Sequence, residues 1–74
     1  MTLGDRLKTS RERRGWSQRD LARQAAVDNA WIARLESGER HNISLEAAAR
    51  LALALEVSVD YLAGVTQFRQ PPAL

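Results

Sequence analysis

Apolar residues fall in five short clusters, each preceded by a hydroxyl or carboxylate residue suited to cap a helix. Leu3 and Leu7 stand one turn apart behind Thr2-Leu3-Gly4-Asp5, a hydroxyl with an acid three residues on. This capping-box spacing predicts a first helix over residues 3–14, stopped at Gly15. Ser17-Gln18-Arg19-Asp20 repeats the spacing and predicts a second helix over 18–25, with Leu21, Ala22 and Ala25 facing inward. After a turn at Ala26-Val27, Asp28 caps a third helix that runs to Ser37 and closes at Gly38. Ser44 caps a fourth helix over 45–55, with an expected inner stripe of Leu45, Ala48, Ala49, Ala52 and Leu55. Ser58 caps a fifth over 59–63 that turns Val59 and Leu62 inward and ends at Gly64. No strand-like alternation, internal repeat or linker interrupts the series, so the pattern predicts an all-α chain.

The third cluster differs from the others. It offers only two large residues for burial, Ile32 and Leu35. With those inward, a step of roughly 100° per residue leaves Asn29, Ala30, Ala33, Arg34 and Ser37 on an open face. Two short amphipathic helices joined by a tight turn, the second with a free face, is the plan of a helix-turn-helix, whose second helix enters the major groove of duplex DNA. In that placement Asp28, Asn29 and Ala30 come nearest the bases, and Arg34 follows one turn on. Arg34 can fork onto guanine or hold a phosphate. Asn29 can pair with adenine or serve as an auxiliary cap. Ala30 lets the backbone approach and can touch a thymine methyl. Trp31 suits either the sugar–phosphate edge or packing on the second helix, whereas Trp16 is expected in the core.

Backbone contacts position a protein without reading sequence. Gln18 opens the second helix, where free N–H groups and the positive helix end favour a phosphate oxygen. Its amide is also placed to brace a side chain of the third helix. Ser17, Arg19, Ser37, Arg40, His41 and Asn42 are further phosphate candidates.

Charge distribution sharpens this picture. The net charge is only +2, but residues 1–41 hold nine Lys/Arg against six acids, while residues 42–74 hold two against three. The basic excess lies with the expected reading helix, as a polyanion-facing half requires. With no cysteine and one histidine in 74 residues, disulfide and metal staples are not expected, nor any cofactor. Below roughly 70–80 residues self-association is a usual remedy for a small core. The same residue set gives an enzyme nothing to build on: no ligand cluster and no glycine-rich phosphate loop. No apolar run approaches the roughly 18 residues of a membrane span, and the N-terminus lacks a signal peptide's apolar segment. A cytoplasmic protein without membrane contact is expected.

Residues 3–64 resemble the DNA-binding domain of the phage repressor and Cro family, the XRE-type regulators. The landmarks are Leu7, Arg11, Gly15, Ser17-Gln18, Leu21-Ala22, Val27, Ile32, Leu35-Glu36, Gly38, Ser44-Leu45-Glu46, Ala54-Leu55 and Val57-Ser58-Val59-Asp60-Tyr61-Leu62. The resemblance implies a compact five-helix, lambda-repressor-like fold and dimeric binding to a pseudo-palindromic operator. It also implies an ion pair between Arg11 and Glu36 that ties helix 1 to helix 3. Two departures fall at Ala26 and Glu56, where the family usually has glycine, and the loop from Glu39 to Ile43 is about one residue longer than usual.

The expected organisation is a helix-turn-helix domain over 1–66 and a tail over 67–74, either mobile or part of a dimer contact. Leu53, Tyr61, Val65 and Phe68 form the expected self-association patch. The function expected is a homodimeric, sequence-specific regulator of transcription, a repressor or autoregulator, with no small-molecule effector. An antitoxin or other protein-interaction module on the same fold is the alternative.

Overall fold

A computed structural model describes residues 2–64. Val65, Phe68 and the expected tail over 67–74 lie outside the described residues. Five helices follow in order: α1 (Leu3–Arg13), α2 (Gln18–Ala25), α3 (Asn29–Ser37), α4 (Leu45–Leu55) and α5 (Val59–Ala63). No strand occurs among the described residues.

Local chemistry sets each start. Thr2 Oγ1 accepts the Asp5 N–H at 3.1 Å while an Asp5 carboxylate oxygen accepts the Thr2 N–H, and Ser17 and Asp20 repeat the exchange. These reciprocal bonds satisfy donors that the first turn of a helix otherwise leaves open. Accepting the Thr2 and Ser17 backbone N–H groups also holds the carboxyls of Asp5 and Asp20 below the usual carboxylate range. The side chains of Asp28, Ser44 and Ser58 cap α3, α4 and α5 by accepting the N–H groups of Ala30, Ala47 and Tyr61.

The helices enclose one core. Leu7, Leu21, Ile32, Leu35, Leu51 and Leu62 are its fully buried large side chains. Trp16, Trp31, Val27 and Ile43 pack partly buried around it. On α4 the inner face is Ala48, Leu51, Ala52 and Leu55, while Ala49 is exposed and Leu45 is 78% exposed. The expected stripe through Leu45 and Ala49 is therefore displaced around the helix. Its sequence, LEAAARLALAL, is apolar on nearly every side. Periodicity alone cannot choose a face there; packing against α2 and α5 does.

Tyr61 is also corrected. It is buried at 6% exposure, with the Arg6 guanidinium 4.9 Å above its ring and an Arg6 N–H donating to its carbonyl, so it fastens α5 to α1 and cannot line an outer patch. Leu53, at 81% exposure, does stand outside.

Two helix ends carry strain. Ala26 after α2 and Glu56 after α4 both adopt the left-handed conformation, each with φ of 58°. Both ends close alike: the next N–H, of Val27 or Val57, donates back to the carbonyl of Ala22 or Ala52 at 3.0 Å. Left-handed backbone costs a residue with a Cβ about 1–2 kcal/mol, and glycine returns part of that gain through about 0.4–1 kcal/mol of unfolded-state entropy. Ala26→Gly should therefore raise stability by about 0.5–1 kcal/mol, seen as a melting temperature about 4 °C higher by circular dichroism. Glu56→Gly should gain less, because Glu56 also accepts an exposed bond from Arg14 at 2.7 Å. A lowered melting temperature in Ala26→Gly would contradict the strain assigned to this turn.

Candidate nucleic-acid interface

The α2–turn–α3 unit rests on its frame through one carboxylate. Arg11 Nε donates to Glu36 Oε2 at 2.8 Å and Arg11 Nη2 to Glu36 Oε1 at 2.9 Å, a two-pronged pair between α1 and α3. Gln18 Nε2 donates to the same Oε1 at 3.1 Å, which brings in the first residue of α2. Arg11 Nη1 completes the arrangement on the Trp16 carbonyl at 2.7 Å. The two charged side chains are only 11% and 4% exposed, so the pair is shielded from solvent. Bonding to Glu36 raises the Arg11 pKa further above its ordinary value. A fork–fork geometry fixes direction as well as distance, and here it sets how α3 is presented.

A second constraint lies at the start of α1. Gly4 is buried against the last turn of α3, where a Cβ would come within 2.1 Å of the Leu35 carbonyl oxygen. Helix α1 and the C-terminal end of α3 are in backbone contact there. In the sequence Gly4 stands only as part of a capping box. A small residue two places into a helix gives no sign of what it faces.

Against this frame α3 turns Asn29, Ala30, Arg34 and Ser37 to solvent, while Ile32 and Leu35 are buried and Ala33, expected outside, is half-buried. Asp28 is exposed, but its Oδ1 accepts the Ala30 N–H at 3.0 Å and so serves as the cap. Arg34 takes part in no ion pair among the described residues; the four that form there join other side chains. Ser17 and Arg19 are exposed at the start of α2, beside the half-buried Gln18. Ser37 Oγ donates to the Arg34 carbonyl and accepts the Glu39 N–H, which shapes the exit from α3. Arg40, His41 and Asn42 follow, all exposed. Trp16 packs partly into the core under the Arg14 guanidinium, 4.5 Å from its ring.

Trp31 is half-buried on the flank of α3 that faces α4. With Arg34, Arg40, Ala47 and Arg50 it borders a shallow depression of about 460 Å³. Arg50 is a residue that sequence reading left out. The signal was present: it is the single basic residue of α4, whose other charged residue is Glu46, and such a residue must have solvent or a partner to face. Among the described residues no group of His, Cys, Asp or Glu is arranged to hold a metal ion, and no helix is long and apolar enough to cross a membrane.

Comparison with known proteins agrees with this geometry. Residues 2–64 match the model of a family described as a helix-turn-helix domain. A protein of Neisseria meningitidis described as a hypothetical transcription factor is 36% identical over 60 residues, 81% of this chain. The chain spans 56% of that curated relative's length. Among solved structures, SinR in complex with DNA, a regulator known from Bacillus subtilis, superposes with a TM-score of 0.81 at 30% identity, covering 82% of this chain and 97% of that one. The restriction-modification controller protein C.AhdI from Aeromonas hydrophila gives 0.75 at 35% identity, over 81% of this chain and 89% of the other. The family match runs through the capped α2, the tight turn and the open-faced α3, and the chain belongs to the XRE-type helix-turn-helix family of transcription regulators.

Proposed function

We propose that this chain binds duplex DNA in a sequence-specific way as a homodimer on a pseudo-palindromic operator, and so represses transcription or regulates its own expression in the cytoplasm. The observation that carries this reading is the bare outer face of α3. Asn29, Ala30, Arg34 and Ser37 stand in solvent on a helix whose angle is fixed from behind by Glu36. A face held at a fixed angle and not covered by the other described residues is suited to a groove, and SinR, which shares the fold, has been solved bound to DNA.

Roles divide by chemistry. Asp28, Asn29, Ala30 and Arg34 are the base-facing set, with Arg34 on guanine O6 and N7 as the main discriminating contact. Ser17, Gln18, Arg19, Ser37, Arg40, His41 and Asn42 supply backbone contacts, and Trp31 lies along the groove edge. Gln18 meets a phosphate with its backbone N–H while its side chain stays on Glu36. Regulation follows protein concentration and needs no small-molecule effector.

Two-fold symmetry doubles the bases read. Leu45 and Leu53, 78% and 81% exposed on α4 with exposed Ala49 between them, leave an apolar strip suited to a second copy. Its test is sedimentation of the full chain: Leu53→Glu should shift a dimer to monomer without lowering the melting temperature of the fold.

Selection of bound duplexes from a random pool tests the reading itself. The wild-type chain should enrich a pseudo-palindrome. Arg34→Ala should lose preference at one base pair per half-site, a penalty of about 1–3 kcal/mol, while Gln18→Ala weakens all duplexes alike. Uniform weakening in Arg34→Ala would make Arg34 a phosphate anchor, and no enrichment by the wild-type chain would end the operator reading.

A further inference from the structure

The depression beside α3 has a composition that the base-reading face does not explain. Three arginines border it: Arg34 from α3, Arg40 from the following loop and Arg50 from α4. Arg40 lies 5.9 Å from the Trp31 ring centre, so the tryptophan forms an apolar wall behind the charges. The carboxylate that borders it is Asp28, whose Oδ1 is already taken by the Ala30 N–H. Arg50 is half exposed and is held by Glu46 one turn earlier at 2.7 Å, a contact open to solvent on both sides. Such an exposed pair is weak and easily exchanged.

We propose that this depression seats one backbone phosphate of the duplex next to the base pair facing Arg34, with Arg50 as its principal donor and Glu46 as a tether that Arg50 leaves on binding. The inference rests on the DNA-binding reading and extends the contact surface from α3 to the middle of α4. The ligand chemistry is a phosphate monoanion. Its source is the duplex rather than a free ion, because the depression is shallow and open: a lone anion entering it keeps most of its hydration and gains little. A phosphate fixed to a duplex arrives already placed by the contacts of α3. Exchange of Glu46 for phosphate then replaces one exposed partner by another that is part of a polyanion.

The test uses the full chain, duplex DNA at several salt concentrations and two conservative variants at exposed positions. Arg50→Gln should weaken specific and non-specific duplexes alike, by about tenfold at low salt, and should reduce the log–log salt slope by about 0.9 for each chain bound. Glu46→Gln should tighten binding several-fold by freeing Arg50, and that gain should vanish in the Arg50→Gln background. Duplexes with single neutral methylphosphonate linkages locate the contact: one linkage should weaken the wild-type chain and leave Arg50→Gln unaffected. Inorganic phosphate at matched ionic strength should compete no better than chloride.

Unchanged affinity and salt slope in Arg50→Gln, with the wild-type chain binding normally, would overturn the inference and leave the DNA reading intact. A Glu46→Gln gain that persists without Arg50 would overturn it as well, since it would show only the removal of a like charge. Inorganic phosphate competing through Arg50 would assign the depression to a free anion instead. A wild-type chain that binds no duplex overturns the DNA reading and the inference together.

Discussion

Glu36→Ala should destabilise the domain by about 3–5 kcal/mol, since removing one member of a buried pair strands the other. For a domain this small that is a fall in melting temperature of more than about 12 °C. Arg11 keeps its bond to the Trp16 carbonyl, but two of its three hydrogen-bonding nitrogens lose their acceptors while the side chain stays 11% exposed. The desolvation of Glu36 is relieved at the same time, yet the charge left behind cannot reach water, so the loss prevails. Thermal melting by circular dichroism measures the effect. A melting temperature unchanged within error would mean that Glu36 and Arg11 are not paired in solution.

The paired replacement Arg11→Met with Glu36→Leu separates two duties. Apolar residues of similar volume often match or exceed a buried ion pair in stability. Melting should therefore recover, whereas DNA affinity should stay low, because Gln18 no longer has its acceptor on α3. Recovery of both would reduce the carboxylate to a packing element.

The second large effect is expected at Gly4. Alanine is favoured over glycine in a helix by about 1 kcal/mol, so on propensity alone Gly4→Ala would stabilise α1. Contact decides otherwise. The new methyl would lie 2.1 Å from the Leu35 carbonyl oxygen, 3.0 Å from its carbon and 3.2 Å from the Glu36 Cα. All three are backbone atoms, and none can swing aside as a side chain does. Helix α1 must lift from α3, with a loss of about 3 kcal/mol or more, at the upper end of overpacking costs. The Arg11–Glu36 pair spans the same two helices, so duplex binding should weaken along with melting. A melting temperature equal to or above that of the unaltered chain would show that the two helices are not in such close contact.

Most of the fold was legible because helix starts are written locally. Thr2, Ser17, Asp28, Ser44 and Ser58 each cap the helix that follows, and the boundaries agree with expectation to within a residue. Ala26 and Glu56 stood out only through family likeness, which implies glycine at both places, and both adopt the left-handed backbone that glycine would serve. What failed depended on distant partners. The face of α4 could not be chosen from a helix that is apolar nearly all round, so Leu51 was missed and Leu45 misplaced. Tyr61 looked like part of an outer patch because nothing near it in sequence announces Arg6, 55 residues away. Gly4 and Arg50 were overlooked likewise, one for the backbone it touches and the other for the depression it borders. The pairing of Arg11 with Glu36 came from family likeness; that the Gln18 amide braces a side chain of the third helix was expected from its position, and the structure identifies that side chain as Glu36.

Because the outer residues of α3 bear almost none of the packing, frame and message are separable in this molecule. Ile32, Leu35 and Glu36 hold the rod in place, while Asn29, Ala30 and Arg34 project from it unburdened. On the proposed operator reading, exchanging those three side chains should retarget the protein at little cost to folding. Such a lineage would also be free to drift in what it recognises faster than in how it is built.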